Sequence, residues 1–169
     1  QNGSTRTYTI SVIRKNESGS EGTSDIASTP KIASTAYKLS TNAITGITNF
    51  PISTSDFVKA FTVSNGSLKI TSSSGTTKTG DVGTGDQVQV YDSLGALKYT
   101  YNIIIYGDVN GDGKINSQDL LVIQKNNIKI SVLKGVYYTA ADVNRDNNVN
   151  AQDLLLVQKN NIKVTPIQQ

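Results

Sequence analysis

The sequence predicts two units of different class, a small β-sandwich followed by an all-α unit that contains two oxygen-rich loops. Between residues 37 and 106, short segments alternate apolar with polar residues, and Gly or Asn turns recur about every ten residues. This pattern is typical of a small sandwich. Residues 107–130 then recur at 141–164 without a gap, and 15 of those 24 positions are identical. Each copy is a polar loop followed by a run that favours a helix of about ten residues.

The first 29 residues precede the predicted sandwich. Within residues 7–14, Tyr8, Ile10 and Val12 alternate with polar neighbours, which predicts one half-buried strand. The Ser-, Gly- and Thr-rich residues 16–29 predict a linker. The strand is expected either to end a preceding domain or to pair with the unit that follows. Because the 169 residues contain no Met and no signal peptide, we expect a piece of a longer protein.

Within the predicted sandwich, residues 30–106, the clearest local pattern is Asn65-Gly66, which predicts a hairpin between residues 61–64 and 67–70. Residues 87–91 alternate as a strand, and the chain is expected to turn at 92–95. Ser55 or Thr54 is expected to cap a short helix that carries Phe57 and Phe61 on one face. One face of the last strand is expected to carry Leu97, Tyr99, Tyr101, Ile103 and Ile105.

Two further features concern the end of the sandwich. The glycine-rich run 80–85 lacks the strand–helix context of a phosphate-binding loop, so its glycines are interpreted as hairpin residues. The last strand continues through Tyr106 into Gly107 and Asp108 without a flexible linker. The two units are therefore expected to pack against each other.

Each repeated loop has twelve residues, with side-chain oxygens at positions 1, 3, 5, 9 and 12. This is the ligand spacing of an EF-hand calcium loop, except that position 12 is Asp rather than Glu, and position 7 contributes its backbone carbonyl. Position 6 requires a positive φ, which Gly113 and Asn147 supply. Ile115 and Val149, at position 8, are expected to point inward and pair the loops. The predicted metal ligands are Asp108, Asn110, Asp112, Lys114, Asn116 and Asp119, and then Asp142, Asn144, Asp146, Asn148, Asn150 and Asp153.

Charge supports two calcium ions. Six of the thirteen acidic residues lie in these loops, three in each. Two Ca²⁺ ions would neutralise most of this clustered charge, so the C-terminal third is expected to fold poorly without calcium. Every ligand is an oxygen and the set leaves no open position, which indicates a structural rather than a catalytic metal.

The segment Gly-Asp-Val-Asn-Gly-Asp-Gly-Lys-Ile-Asn-Ser-Gln-Asp-Leu at 107–120, with its copy at 141–154, resembles the dockerin family over about residues 107–169. The resemblance implies two loop–helix repeats and calcium-dependent binding to a cohesin domain in an extracellular, cellulosome-like bacterial complex. The preceding β unit resembles the immunoglobulin-like X modules that accompany dockerins. The predicted fold is thus an immunoglobulin-like sandwich followed by a dockerin.

The resemblance also implies a cohesin-binding face at loop positions 10 and 11 and along the helices. The alternative for the leucines on this face is an ordinary core, and for the lysines a solvated surface. Because the two sets nearly match, the domain is expected to bind in two orientations about 180° apart. Positions 10 and 11 depart from the common Ser-Thr or Ser-Ser pair, which leaves the partner subtype open. The face comprises Ser117, Gln118, Leu121, Gln124 and Lys125, and their counterparts Ala151, Gln152, Leu155, Gln158 and Lys159.

Composition weighs against other functions. The chain has no His and no Cys, which removes the commonest catalytic bases and nucleophiles, and its remaining acids show no catalytic spacing. The net charge of +3 is scattered and indicates neither nucleic acid nor membrane as a partner. The free chain is expected to be a monomer. Two alternatives remain, a carbohydrate-binding β module that uses exposed tyrosines and a purely structural spacer.

Overall fold

The computed structural model describes residues 28–169, so the predicted strand at 7–14 and nearly all of the predicted linker lie outside the described residues. The described chain is β in its first part and helical in its second, as predicted. Its elements, in chain order, are β1 (Lys31–Ser34), β2 (Lys38–Leu39), β3 (Ala43–Thr45), α1 (Thr54–Val58), β4 (Phe61–Ser64), β5 (Gly66–Thr71), β6 (Gln87–Asp92), β7 (Leu97–Ile103), α2 (Ser117–Asn127), α3 (Gly135–Ala141) and α4 (Ala151–Asn161).

The β unit, residues 28–106, contains two sheets that share one apolar core. A five-stranded sheet has the order β2-β3-β7-β6-β5, and a two-stranded sheet pairs β1 with β4. All neighbours are antiparallel except β3 and β7. Val88 and Val90 of β6 are fully buried between half-exposed neighbours, as the alternating sequence predicts. Ile32 of β1 and Val63 of β4 pack against the same cluster from the smaller sheet.

The predicted hairpin around Asn65 is wrong. The strands on either side exist, but β4 pairs with β1 and β5 pairs with β6, so the chain crosses from one sheet to the other here. A two-residue type I′ turn needs positive φ at both central residues. Asn65 has a φ of 58°, whereas Gly66 is not in the left-handed region. A Cβ on Gly66 would lie 2.0 Å from the Tyr91 carbonyl oxygen, so Gly66 permits the close approach of β6.

The predicted cap of α1 is also wrong by one residue. Ser53, rather than Thr54 or Ser55, is the N-cap, and its hydroxyl accepts a hydrogen bond from the Asp56 N–H. The helix ends before Phe61, which belongs to β4. The two phenylalanines nevertheless meet, with ring centroids 5.1 Å apart.

The apolar face of the last strand becomes buried gradually along its length. Leu97 is 50% exposed and Tyr99 38%, whereas Ile103 and Ile105 are fully buried. β7 itself ends at Ile103, so Ile105 lies in the segment that follows. A register shift at Val90 in the neighbouring strand accompanies the exposed end of β7. The predicted turn at 92–95 is present, because the Asp92 carboxylate accepts from the N–H groups of residues 94 and 96.

The helical unit, residues 107–169, contains two matched helices and a third that the sequence analysis missed. α2 and α4 each have eleven residues and begin with a capping box, Asn116 with Asp119 and Asn150 with Asp153. The helices pack against each other around the fully buried Ile123 and Val157. The additional α3 supplies Ala140 and Ala141, both completely buried.

The two units contact each other directly, as the absence of a linker predicts. At the start of the helical unit, the Gly107 N–H donates to the Ala140 carbonyl, which holds the residue after Tyr106 against α3. The Gln169 side chain accepts from the Tyr106 N–H at 2.8 Å and donates to the Tyr106 carbonyl at 2.9 Å. The Arg145 guanidinium lies 4.4 Å from the centre of the Tyr106 ring. Both ends of the helical unit therefore meet at the end of the β unit.

Candidate functional site

The first loop, residues 108–119, is organised around its two end carboxylates. Asp108 Oδ1 accepts hydrogen bonds from the N–H groups of Gly111 and Asp112, and its Oδ2 accepts from that of Gly113. At the other end, Asp119 Oδ1 accepts from the N–H groups of residues 109 and 110, and Oδ2 accepts from Asn116. Backbone amides therefore hold both carboxylates in place, pointing into the loop.

The second loop, residues 142–153, repeats this arrangement closely. Asp142 accepts from the N–H groups of Asp146 and Asn147, and Asp153 accepts from those of residues 143, 144 and 150. Gly113 and Asn147 both have positive φ, 78° and 68°. The prediction that position 6 adopts this conformation is confirmed in both loops.

The end carboxylates of both loops are buried. Asp108, Asp119 and Asp153 are completely inaccessible to solvent, and Asp142 is 7% exposed. Among residues 28–169, the ion pairs engage Asp56, Asp86 and Asp92 and none of these four. Buried carboxylates without a basic partner are costly to ionise.

Burial has a direct effect on protonation in the first loop. It raises the pKa of Asp108 to about 6, against the hydrogen bonds from Thr84 and Gly113, which lower it. The nearby Asp119 and Asp112 carboxylates raise it further. Burial also raises the pKa of Asp119. A divalent cation bound in the loop would reverse this effect, because it stabilises the ionised form.

The donor chemistry of the loops fits calcium. Within the described residues, no group of three or more Asp, Glu, His or Cys side chains forms a metal cluster. Each loop nevertheless combines three Asp with Asn side chains and a backbone carbonyl at position 7. Such all-oxygen sets are the kind that calcium prefers. Because the buried end carboxylates have no basic partner among the described residues, a bound cation would stabilise their ionised form.

The structure adds detail at positions 8 and 9 of each loop. Asn116 and Asn150 are N-caps, and each Oδ1 accepts a backbone N–H at 2.8 Å from the residue two positions on. Ile115 and Val149 pack partly buried against the helical core, as expected. The Val149 N–H donates to the Tyr138 hydroxyl at 3.2 Å, and among the described residues no backbone hydrogen bond joins Val149 to Ile115.

The predicted partner face lies beside the loops and is accessible. Leu121 is 49% exposed and Leu155 48%, so neither belongs to the core that Ile123 and Val157 form. Lys159 is half-buried. The exposed members are Ser117, Gln118, Leu121, Gln124, Lys125, Ala151, Gln152, Leu155 and Gln158.

A hydrogen bond connects this face to each loop. The Asn110 side-chain amide donates to Gln118 Oε1 at 3.2 Å, and Asn144 donates to Gln152 at the same distance. Position 3 of each loop is therefore linked to position 11. A change in the loop's conformation would move a residue of the predicted partner face.

The model of the dockerin type I domain matches residues 106–160. This part of the chain is a dockerin domain. Dockerin domains are calcium-dependent modules that dock onto cohesins and have no catalytic role, and they occur in extracellular cellulosome components. No curated protein matches the chain. In the described residues, no helix has the length and apolar character needed to cross a membrane.

The structure adds residues that sequence reasoning did not assign to the dockerin's surface. Ile128 and Ile162, which recur in the repeat, are each 66% exposed at the ends of α2 and α4. Their period of 34 was visible, but sequence spacing alone does not distinguish this position from the core. The glycine-rich residues 82–85 contact the first loop, and no local pattern indicates such a distant contact.

Proposed function

We propose that this chain anchors a larger protein to a cohesin-bearing scaffold outside the cell, through its dockerin domain and with two bound calcium ions. The observation that carries the proposal is the pairing of two amide-lined, buried carboxylate loops with an accessible, twice-repeated face beside them. In this arrangement calcium holds the loops, the loops fix the helix starts, and the helices present the partner face.

Calcium is the first step of this mechanism. The six ligand positions of each loop would hold one ion, with Asp119 or Asp153 closing the shell. Asn116 and Asn150 would contact the ion through water, since each oxygen already accepts a helix-capping hydrogen bond. Neutralising the buried carboxylates stabilises the folded helical unit. The metal supplies folding energy and takes no part in a reaction.

The partner face is the second step. Gln118 and Gln152 beside exposed leucines provide a mixed polar and apolar surface, and a few residues of an interface usually carry most of its binding energy. The near identity of the α2 and α4 faces supports two binding orientations related by about 180°. Ser117 in the first repeat, where the second has Ala151, is the main difference that would favour one orientation.

The β unit serves as a structural support in this proposal, with an X-module-like, immunoglobulin-type fold. Its sheets share a single core and contact the dockerin through the junction at Tyr106. We infer no enzymatic activity for either unit, and a monomeric free chain. The parent protein would carry any activity towards polysaccharides.

Carbohydrate binding by the β unit has little support. Tyr37 stacks on Phe57 in the core, with ring centroids 4.9 Å apart. Tyr91 is half-buried beside Lys69, whose ammonium lies 5.0 Å from the ring centre. Of the candidate tyrosines 37, 91, 99 and 101, only Tyr99 is exposed, at 38%. A flat sugar-binding platform normally needs several exposed rings. Binding to cohesins distinguishes this proposal from the alternative that the chain is only a structural spacer.

The test is binding of the whole chain to a panel of immobilised cohesins, measured by surface plasmon resonance with calcium and with a chelator. We expect binding to at least one cohesin in calcium and none in chelator. Calcium-independent binding would contradict the mechanism. Failure to bind any cohesin would favour the spacer role.

Paired variants test the two orientations. The first set changes Ser117, Gln118, Gln124 and Lys125 to Ala, and the second changes Gln152, Gln158 and Lys159 to Ala. Each set alone is expected to retain binding within about tenfold, and the combined set is expected to abolish it. Complete loss from either set alone would show a single orientation.

A further inference from the structure

Residues 82–85, which we call the glycine loop, are buried and held in one conformation. The Gly83 N–H donates to Asp86 Oδ2 at 2.9 Å, and Asp86 forms an ion pair with Lys78 at 2.7 Å. The Thr84 hydroxyl accepts from the Ile105 N–H at 3.1 Å and lies 3.2 Å from the Ile105 carbonyl, to which it donates. All four residues of the glycine loop are buried. This loop is therefore part of the rigid β unit.

The glycine loop donates a hydrogen bond to the first calcium loop. The Thr84 N–H points at Asp108 Oδ2 at a distance of 2.8 Å. In the second loop, Asp142 Oδ2 accepts from Asn147 at 2.8 Å, and within residues 28–169 it has no equivalent donor from the β unit. The two loops thus differ at their first ligand, where one carboxylate receives an additional backbone donor.

The approach of the glycine loop explains why the two copies differ in sequence. Positions 4 and 6 are Gly111 and Gly113 in the first loop but Arg145 and Asn147 in the second. All four have φ between 62° and 78°, so the second loop shows that this backbone does not itself require glycine. A Cβ on Gly111 would lie 2.5 Å from the Thr84 carbonyl oxygen, and one on Gly113 would lie 2.5 Å from that of Val82.

The fit is equally close from the opposite side. A Cβ on Gly83 would lie 2.2 Å from the Gly111 carbonyl oxygen. Arg145 and Asn147, in contrast, are exposed. Glycine at positions 4 and 6 of the first loop therefore makes room for the β unit. The second loop accommodates larger side chains at these positions, and the Arg145 side chain extends to the Tyr106 ring.

We propose that the glycine loop is a structural part of the first calcium site, so that calcium affinity there depends on the glycine loop while affinity at the second site does not. This rests on the proposed calcium function of both loops. Thr84 is a positioning residue, because it acts on calcium through Asp108. Since coupling between two equilibria is reciprocal, calcium in the first loop strengthens contact between the two units by the same factor.

The experiment uses the full chain, freed of metal and titrated with calcium alone in a calorimeter. Gly113→Asn gives the first loop the residue of the second, and Asn147→Gly is the matched reverse change. Thr84→Val removes the hydroxyl that orients the Thr84 N–H, and Thr84→Ser keeps it. Amide hydrogen exchange at Thr84 in the unaltered chain provides a measurement that needs no substitution.

We expect Gly113→Asn and Thr84→Val to weaken one of two calcium sites by about tenfold, as loss of a charge-assisted hydrogen bond implies. Asn147→Gly should leave the first site unchanged, and Thr84→Ser should restore most of its affinity. Exchange at the Thr84 amide should slow when calcium is added.

The proposal would be overturned if all four variants bound calcium at both sites as tightly as the unaltered chain does. Rapid exchange at the Thr84 amide in the calcium-loaded chain would also overturn it. So would an effect of Thr84→Val that falls equally on both sites. If the unaltered chain bound no calcium at all, the proposed function itself would fail, and this outcome is distinct from the others.

Discussion

At the scale of single residues, the loop carboxylates have two roles that sequence spacing does not separate. Asp119 and Asp153 hold their loops closed by accepting three backbone N–H groups each, in addition to their proposed metal contact. The spacing predicts the ligands because calcium loops space oxygens regularly. It does not predict the amide cage, which follows from the path of the folded backbone.

Asp119→Asn should therefore weaken both folding and calcium binding. An amide keeps one acceptor oxygen but loses the negative charge, and hydrogen bonds to charged groups contribute about 1.5–3 kcal/mol each. We expect the calcium-loaded chain to lose about 2 kcal/mol or more of unfolding free energy in urea. The mirror change, Asp153→Asn, is the control and should have a similar effect. No change in urea midpoint or calcium affinity for Asp119→Asn would contradict this role.

Without calcium the helical unit is expected to be only marginally stable, and the raised pKa of Asp108 predicts that this remaining stability depends on pH. Burial raises this pKa to about 6, above the value of about 3.9 expected when unfolded. The folded chain therefore holds an additional proton, and this contribution to stability is complete below about pH 4 and is lost as the pH rises through 6. The lowered pKa of Asp92, caused chiefly by the hydrogen bond from Ala96, affects stability only at lower pH.

Urea unfolding of the metal-free chain at about pH 4.5 and pH 7.5 measures this effect. We expect lower stability at the higher pH, by on the order of 2 kcal/mol. Asp108→Asn should remove most of the difference, and saturating calcium should reverse its sign because the ion favours the carboxylate. Stability of the metal-free chain that rises with pH over this interval would be inconsistent with a buried, unpaired Asp108.

At the scale of elements, α2 and α4 divide their apolar residues between core and surface. Ile123 and Val157 are fully buried, whereas Leu121 and Leu155, two positions earlier, are about half exposed. The adjacent leucines of each repeat therefore point in different directions, Leu120 towards the core and Leu121 outward. The arrangement gives each helix one structural stripe and one accessible stripe.

A matched pair of substitutions distinguishes the stripes. Ile123→Ala should cost about 2–5 kcal/mol of unfolding free energy, since it leaves a cavity in a packed core. Leu121→Ala should change stability by less than about 1 kcal/mol, because much of the side chain already contacts water. Cohesin affinity should fall for Leu121→Ala in a variant that disables the α4 face. Equal destabilisation by both changes would show that Leu121 is a core residue.

Elements were predictable from the sequence where local pattern decides them. Strand β6 and the two helices follow from alternation and from the duplicated loop–helix sequence. The pairing of β4 and β5 was not predictable, because Asn65-Gly66 favours a hairpin locally, whereas in the fold β4 pairs with β1 and β5 with β6 over their full lengths. Helix α3 was missed since its seven residues contain no charged residue and its N-cap, Lys134, makes no side-chain capping hydrogen bond.

Substitutions at Asn65 test the backbone conformation at which the chain crosses from one sheet to the other. Its φ of 58° suits Asn and Gly but strains a β-branched residue. Asn65→Gly should leave the melting temperature nearly unchanged, whereas Asn65→Val should cost about 1–2 kcal/mol. A neutral Asn65→Val would mean that the crossing adopts a different backbone in solution.

At the scale of the whole molecule, the β unit and the dockerin form a continuous structure in which the glycine loop contacts the first calcium loop and not the second. Thr84 precedes the junction in the sequence and Gln169 follows it by 63 residues. Both nevertheless contact residues at the junction, Thr84 at Asp108 and Gln169 at Tyr106. The direct connection at Tyr106 predicts packing, but Thr84 and Asp108 are 24 positions apart in sequence, and their contact depends on the course of β6 and β7. The internal repeat therefore predicts two similar loops, and the fold makes them different.

We expect calcium to fold the helical unit into its docking form. The most direct test of this expectation is a calcium titration of the metal-free full chain, with bound ions counted by calorimetry and helix content followed by circular dichroism. We expect two calcium ions per chain and a gain in helix signal that saturates with them. Full helix content in the metal-free chain, unchanged by added calcium, or no measurable calcium binding would contradict it.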